Sequence, residues 1–452
     1  MAAACCCGLE CVLCATCTRW AWRRCSYSGA HDSASWPTAT TAEFSPIPRA
    51  CRAILAAYED DLSRPRWAPN PGGYRMDPTA VIRRASYADT ADRCPPYLIY
   101  HDRANAEIVL AVRGLNLGRG ADYRLLLDNQ PEAQPFDGGY VHRGLLKAAV
   151  WLLNREAETL RQLIREAGPD CRVVLAGHSL GAGVAALAAA VMVNYLDRFE
   201  GINRERLKCY AIAPARCMSL DLAVKYATVI HSVVLQDDFL PRTPTPLENI
   251  FGSIFCLPCL ISLVCMRDTF ISENKMLKDP KRLYAPGRMY HIVERRSCSC
   301  GRMPPEVRTA IPVEGRFEHI VLSCNAIYDH SLVWIEHEAQ VALERLQQED
   351  EAMVPPIQPR IERDEYPQRE QKDEAKKEAL LNTHHASIGK ESSAEKNVPF
   401  ENEHEEGSCT DSRSDWEEFV EKLFITDDDE EDMEFEAVSS VRDDSKLSLI
   451  HT

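Results

Sequence analysis

Between residues 95 and 240 the apolar positions follow two rhythms in turn. "PYLIYHD" (96–102) and "EIVLAVR" (107–113) read as adjacent strands joined by a short polar turn. "GLLKAAVWLLNREAETLRQLIREAG" (144–168) has apolar residues at 146, 149, 150, 153, 157, 160 and 163, which predicts a helix that Gly168 and Pro169 end. "CRVVLAG" (171–177) is continuously apolar, as a strand covered on both faces should be. "LKCYAIAP" (207–214) and "VIHSVVLQ" (229–236) repeat that signature, with a helical-looking stretch between them. A further helix, rich in Ala and Gly, begins at residue 179. Strands alternating with helices predict an α/β fold, a mainly parallel central sheet flanked by helices.

This pattern occupies residues 45–345 and dissolves from about 349. The remainder, 349–452, is heavily charged and lacks apolar periodicity, so it reads as a disordered acidic tail. One island, "DWEEFVEKLFITDDDEEDMEF" (415–435), sets Trp416, Phe419, Val420, Leu423 and Phe424 on one helical face. Two readings stay open for it: a transient helix, or a docking motif for a partner groove.

Charge sharpens the division. The 452-residue chain carries −16, but residues 349–452 hold 31 Asp+Glu against 12 Lys+Arg, a net of −19. The first 348 residues are left near +3, which gives no basic face for general nucleic-acid binding. Seven of the 19 cysteines fall within the first 25 residues, and the rest form no even framework. A disulfide-stapled secreted fold is not expected at this size, and Glu10 interrupts any signal-peptide core. The expectation is a reducing, cytoplasmic setting with most thiols free.

Residues 1–30 join that cysteine cluster to Trp20 and Trp22 beside Arg19, Arg23 and Arg24. Aromatics next to cations suit a membrane interface, and Cys5, Cys6, Cys7, Cys11, Cys14 and Cys17 are candidates for S-acylation there. The alternatives are zinc at the Cys11-x-x-Cys14-x-x-Cys17 spacing, for which no histidine lies close, and a plain buried segment.

The candidate chemistry lies at Gly177-His178-Ser179-Leu180-Gly181, a G-x-S-x-G. Alone the pattern is weak. Here a buried strand precedes it and a small-residue helix follows, the context a nucleophile elbow requires. Glycines at 177 and 181 remove side chains that would collide, and the serine hydroxyl projects at a helix N-terminus. A serine nucleophile needs a base, and the base an orienting acid, in the chain order Ser, Asp/Glu, His. "VIHSVVLQDDFLPR" offers Asp237 and Asp238 just past a strand. "CNAIYDHSLVWIEHE" offers His330 ahead of an amphipathic helix. His337 would sit inside that helix as a surface residue, and His319 in "GRFEHIVLS" reads as a strand residue.

With these motifs in place, the chain resembles the class 3 lipases, the fungal-lipase-type branch of the α/β-hydrolases that includes sn-1-specific diacylglycerol lipases, and a plant member most of all. The resemblance spans roughly 95–340 and rests on "IVLAVRG", "GGYVHRGLLKAA", "LAGHSLGAGVAAL", "DDFLPR" and "YDHSLVW". It implies the acid of an Asp-x-x-Pro-Arg run, Asp238, and the His of an Asp-His pair, His330. It also implies an oxyanion hole of two backbone N–H groups, Leu180 and Leu115. Many members have Ser or Thr where this chain has Leu115, so the helping hydroxyl is missing here.

The implied reaction is ester hydrolysis without metal or organic cofactor. "NIFGSIFCLPCLISLVCM" (249–266) is uncharged and contains Pro258, a poor membrane span that suits a cap over the site, a bilayer-dipping segment or a buried core helix. A cap and an acylated N-terminus would both point to an acyl lipid, mono- or diacylglycerol or a polar glycerolipid, taken from a membrane surface with the protein peripherally attached. The competing expectations are a soluble small-molecule esterase and a scaffold on the same fold. Some plant relatives are described as calmodulin-binding, but "CTRWAWRRC" is short and the tail has the wrong sign for such a target.

Overall fold

Continuous apolar runs become strands because a sheet covered on both faces has no polar side to show. The computed structural model describes residues 28–116, 118–128, 134–242, 282–295, 303–311, 317, 321, 323, 325–353 and 412–424. Eight strands of those residues make one sheet: β1 (Val81–Ala85), β2 (Tyr97–Asp102), β3 (Glu107–Val112), then, past a small hairpin of β4 (Gln134–Phe136) and β5 (Gly139–Val141), β6 (Arg172–His178), β7 (Leu207–Ile212), β8 (Ile230–Leu235), β9 (Arg288–Val293) and β10 (Glu306–Ala310). The sheet order is β1-β2-β3-β6-β7-β8-β9-β10. The five strands from β3 to β9 pair in parallel, and the outer pairs are antiparallel. The predicted mainly parallel sheet is therefore present.

Neighbouring residues on one strand enter different cores, as a period of two requires. Val173 and Leu175 join one core, whereas Val174 and Ala176 join the other. The helices divide accordingly. α1 (Pro46–Tyr58) covers the second face, and α2 (Gly120–Leu127) follows β3. α3 (Arg143–Ala167) and α4 (Leu180–Asn194) cover the first face, and the short α5 (Leu220–Lys225) connects β7 to β8. α6 (Leu332–Met353) packs beside α1 through Leu332, Ile335, Ala339, Ala342 and Leu346, and runs slightly past the predicted start of the tail. α7 (Ser412–Phe424), within the charged tail, lies on the first face with Trp416 and Leu423 buried.

α4 is buried along its whole length because its residues are small. A Cβ on Gly183 would come within 2.7 Å of Leu145 Cδ1, so this glycine sets how closely α4 approaches α3. Packing also begins upstream of residue 45. Gly29 N–H donates to Asp237 Oδ1 at 2.8 Å, and Thr38 bridges to Arg308. The last residues of the 1–30 segment are thus seated on the loop after β8. Cys51, Cys94, Cys171, Cys209 and Cys217 are buried free thiols. The acylation candidates, the 249–266 segment and most of the acidic tail lie outside the described residues. No helix among the described residues is long and apolar enough to cross a membrane.

Candidate active site

The parallel strands release their following loops at one edge of the sheet. In such sheets ligands bind outside the carboxyl ends of the strands. Register pairs Val112 with Gly177 and Gly177 with Ala211, so the segments after β3, β6 and β7 leave side by side. Ser179 follows β6 directly, with φ +56° and ψ −118°. A non-glycine residue held in such a conformation costs about 1–3 kcal/mol, which the surroundings must offset. Ser179 N–H donates to Ile212 O at 3.0 Å, and Ser179 O accepts from Ala182 N–H at 3.1 Å. A Cβ on Gly177 would run into Gly181 O, and one on Gly181 into Arg113 O. Both obstacles are backbone, so the elbow exists only with these glycines.

His330 closes the short helix Ala326–Asp329. Its Nε2 lies 3.0 Å from Ser179 Oγ and its Nδ1 3.0 Å from Asp238 Oδ1. Asp238 is fully buried, and its Oδ1 also accepts from Leu240 N–H at 3.0 Å. Its Oδ2 meets no donor among the described residues, so His330 is the side chain that orients this carboxylate. A carboxylate on Nδ1 fixes the imidazole with Nε2 as acceptor for the serine proton. The geometry is that of a nucleophile, a general base and its orienting acid.

Asp237 points elsewhere. Besides Gly29, it lies 3.7 Å from Arg295, and its own N–H donates to Asp329 Oδ2 at 3.0 Å. Arg295 also pairs with Asp329 and Glu294. Burial pushes the Asp329 carboxyl up to about 7, against the pull of Arg295. This cluster ties the loop after β8 to the loop that carries His330. Arg242, fully buried, pairs with Asp32 and donates to Gln236 O at 2.8 Å, closing the Asp238 loop from its far end. His337 is exposed on α6, away from these partners, and His319 lies outside the described residues.

Sequence reasoning missed Tyr58. Its phenol oxygen accepts Gly114 N–H at 2.7 Å and lies 2.8 Å from His178 Nδ1. His178 Nε2 lies 2.9 Å from His330 O. A carbonyl only accepts, so Nε2 carries the proton, Nδ1 accepts, and the phenol donates to it. Burial, with His330 beside it, lowers His178 to about 3, so the ring stays neutral. One hydrogen-bond chain therefore links the loop after β3 to the backbone of His330. No local pattern marks Tyr58, which ends a helix 120 residues upstream of His178.

The suggested oxyanion donors stand at the starts of neighbouring segments. Leu180 is the first residue of α4, where N–H groups have no intrahelical acceptor. Leu115 packs half-buried against the first core. On either side of it, Gly114 N–H goes to Tyr58 and Asn116 N–H to Asp122 Oδ2 at 2.8 Å. Asp122 is held in turn by Tyr87 OH at 2.7 Å. The loop is pinned before and after Leu115. Among the described residues, no three His, Cys, Asp or Glu side chains gather as metal ligands would.

Parts of the chain match known proteins. The family "Lipase (class 3)" matches residues 109–248, and "Lipase 3 N-terminal region" matches 8–76. Human diacylglycerol lipase-alpha is 22% identical over 280 residues, covering 52% of this chain and 26% of that protein. Mouse diacylglycerol lipase-beta is 28% identical over 165 residues, covering 34% of this chain and 23% of that protein. The chain thus spans about a quarter of the length of these relatives. Among solved structures, the Rhizomucor miehei triacylglyceride lipase is similar at TM-score 0.44 and 17% identity, over 65% of this chain and 95% of that one. A lipase from Rhizopus microsporus var. chinensis gives 0.42 and 18%, over 65% and 87%. Residues 109–248 are thus the part of the chain that matches the class 3 lipases, with a class 3 lipase N-terminal region matched ahead of it at 8–76.

Proposed function

We propose that this protein is a serine hydrolase that cleaves carboxylic esters of acyl glycerolipids. The observation that carries the reading is the imidazole of His330, which bridges Ser179 Oγ and Asp238 Oδ1 at 3.0 Å each. In this reading His330 takes the Ser179 proton as the oxygen attacks an ester carbonyl. Asp238 holds the ring tautomer and stabilises its cation. The Leu115 and Leu180 amides receive the developing oxyanion. His330 then protonates the departing alcohol, and water repeats the cycle to release the fatty acid.

The glycerolipid part rests on the relatives, two of which are named diacylglycerol lipases. Recruitment to a membrane surface through S-acylation of Cys5, Cys6, Cys7, Cys11, Cys14 and Cys17 belongs to the same proposal, as does a cap formed by 249–266.

The test offers purified protein and its Ser179→Ala form diacylglycerol in mixed micelles and a short-chain soluble ester. Serine-dependent fatty-acid release from the lipid is expected. Serine-dependent turnover of the soluble ester alone would replace the lipid substrate with a small acyl metabolite. Loss of membrane retention is expected when the six cysteines are changed to serine, and unchanged retention would remove acylation from the account.

A further inference from the structure

The apolar island of the acidic tail has a partner, and the partner is this chain. On α7, Trp416 and Leu423 are buried and Phe419, Val420 and Phe424 are half-buried, all on one face. Glu417, Glu418, Glu421 and Lys422 face solvent, with Lys422 paired to Glu418 at 2.5 Å. The helix is amphipathic, and the lipase domain covers its apolar side.

The contacts centre on one side chain. Trp416 is 2% exposed and its indole N–H donates to Asn154 Oδ1 on α3 at 2.8 Å. Tyr195 meets the Trp416 ring edge-on, with centroids 5.0 Å apart, and the Arg198 guanidinium lies 4.6 Å over its face. Phe419 adds ring contacts with Tyr195 at 5.7 Å and with Phe136 of β4 at 6.2 Å. A buried tryptophan with one hydrogen bond and a cation on its face is the usual anchor of a protein–protein interface. A helix of this length is marginal alone in water, so its helicity depends on the surface it rests on. Residues 354–411 separate it from α6 along the chain.

We propose that Phe136, Asn154, Tyr195 and Arg198 form a helix-docking groove whose occupant is the chain's own segment 412–424, bound in cis as an exchangeable ligand. The groove uses the end of β4, the middle of α3 and the turn after α4, not the residues around Ser179. Docking and ester hydrolysis are therefore separable.

The test uses the full chain with a site-specific protease sequence introduced between 354 and 411. After cutting, the C-terminal fragment is expected to co-elute with the lipase domain at micromolar concentration. Excess synthetic peptide of residues 412–424 is expected to displace it. Trp416→Ala in that peptide should weaken displacement about tenfold or more. Asn154→Ala in the domain, which removes the indole's acceptor and leaves the tryptophan intact, should weaken retention while the domain still unfolds cooperatively. Release of the fragment on cutting from a folded domain would overturn the proposal. Retention that excess peptide never displaces would also overturn it, since α7 would then be a fixed part of the core.

Discussion

The phenol oxygen of Tyr58 lies 2.8 Å from Nδ1 of His178, and that ring's other nitrogen lies 2.9 Å from the carbonyl of His330. The same phenol accepts Gly114 N–H at 2.7 Å. The tyrosine thus links the loop before Leu115, through His178, to the backbone of His330. Tyr58→Phe should lower kcat by roughly tenfold and leave KM nearly unchanged, the size of one lost hydrogen bond. Steady-state kinetics on a soluble ester check this. An unchanged kcat would make the chain of hydrogen bonds a packing feature only.

The elbow glycines should rank by what stands in their way. Backbone oxygens block a Cβ at 177 and at 181, whereas at 183 the obstacle is the flexible end of Leu145. Gly177→Ala and Gly181→Ala should each destabilise by about 3 kcal/mol or more, and Gly183→Ala by about 1–2 kcal/mol. Urea unfolding measures the order. Equal small effects at all three would argue against this packing.

Acid should unfold the protein through its buried neutral histidines. Burial lowers His178 and His291 to about 3 and His142 to about 4. Unfolded histidines titrate near 6.5, so between that pH and about 3 the unfolded state binds more protons. The contribution is fully present above pH 6.5 and is lost as pH falls toward 3, on the order of 1 kcal/mol per pH unit for each ring. Asp329 acts in the opposite sense. Its folded value is raised to about 7, so its own term weakens stability as pH rises from about 4 to 7. Unfolding free energies at pH 7.5, 6 and 5 should therefore fall toward acid, with the lowered rings of His142, His178, His231 and His291 outweighing the raised carboxyls of Asp122, Asp329 and Glu336. A flat profile would contradict the burial assigned to them.

In the proposed mechanism Leu115 offers the oxyanion a backbone N–H and no hydroxyl. Leu115→Ser should raise kcat by about tenfold, since one oxyanion donor is worth a few kcal/mol at most. Kinetics on the same ester decide it. A fall in kcat would mean that the packing of Leu115 against the first core matters more than an added donor.

The parallel core of the fold was legible in the sequence because its signals are local. Continuous apolar runs marked β3, β6, β7 and β8, and a 3.6-residue rhythm marked α3. The edge strands β1 and β10, and β9 inside β10, were not read, since short runs such as "VIRRA" and "EVRTA" carry charge and little periodicity. In the candidate site, the elbow could be read from adjacent residues, and Asp238 and His330 from chain order and family motifs. The structure brings these three together across 151 and 92 residues. Tyr58, Arg295 and the Gly29–Asp237 contact were invisible, because each joins segments distant in the chain through a single side chain.

The measurement that bears most directly on the account is covalent labelling of the folded protein with a fluorophosphonate, followed by mass spectrometry. The account predicts one adduct, on the peptide containing Ser179. It should be absent from Ser179→Ala and slowed by roughly 10⁴-fold or more in His330→Ala, as expected when a nucleophile loses its base. No adduct on folded protein, or equal labelling of Ser179→Ala, would contradict the claim that Ser179 is an activated nucleophile.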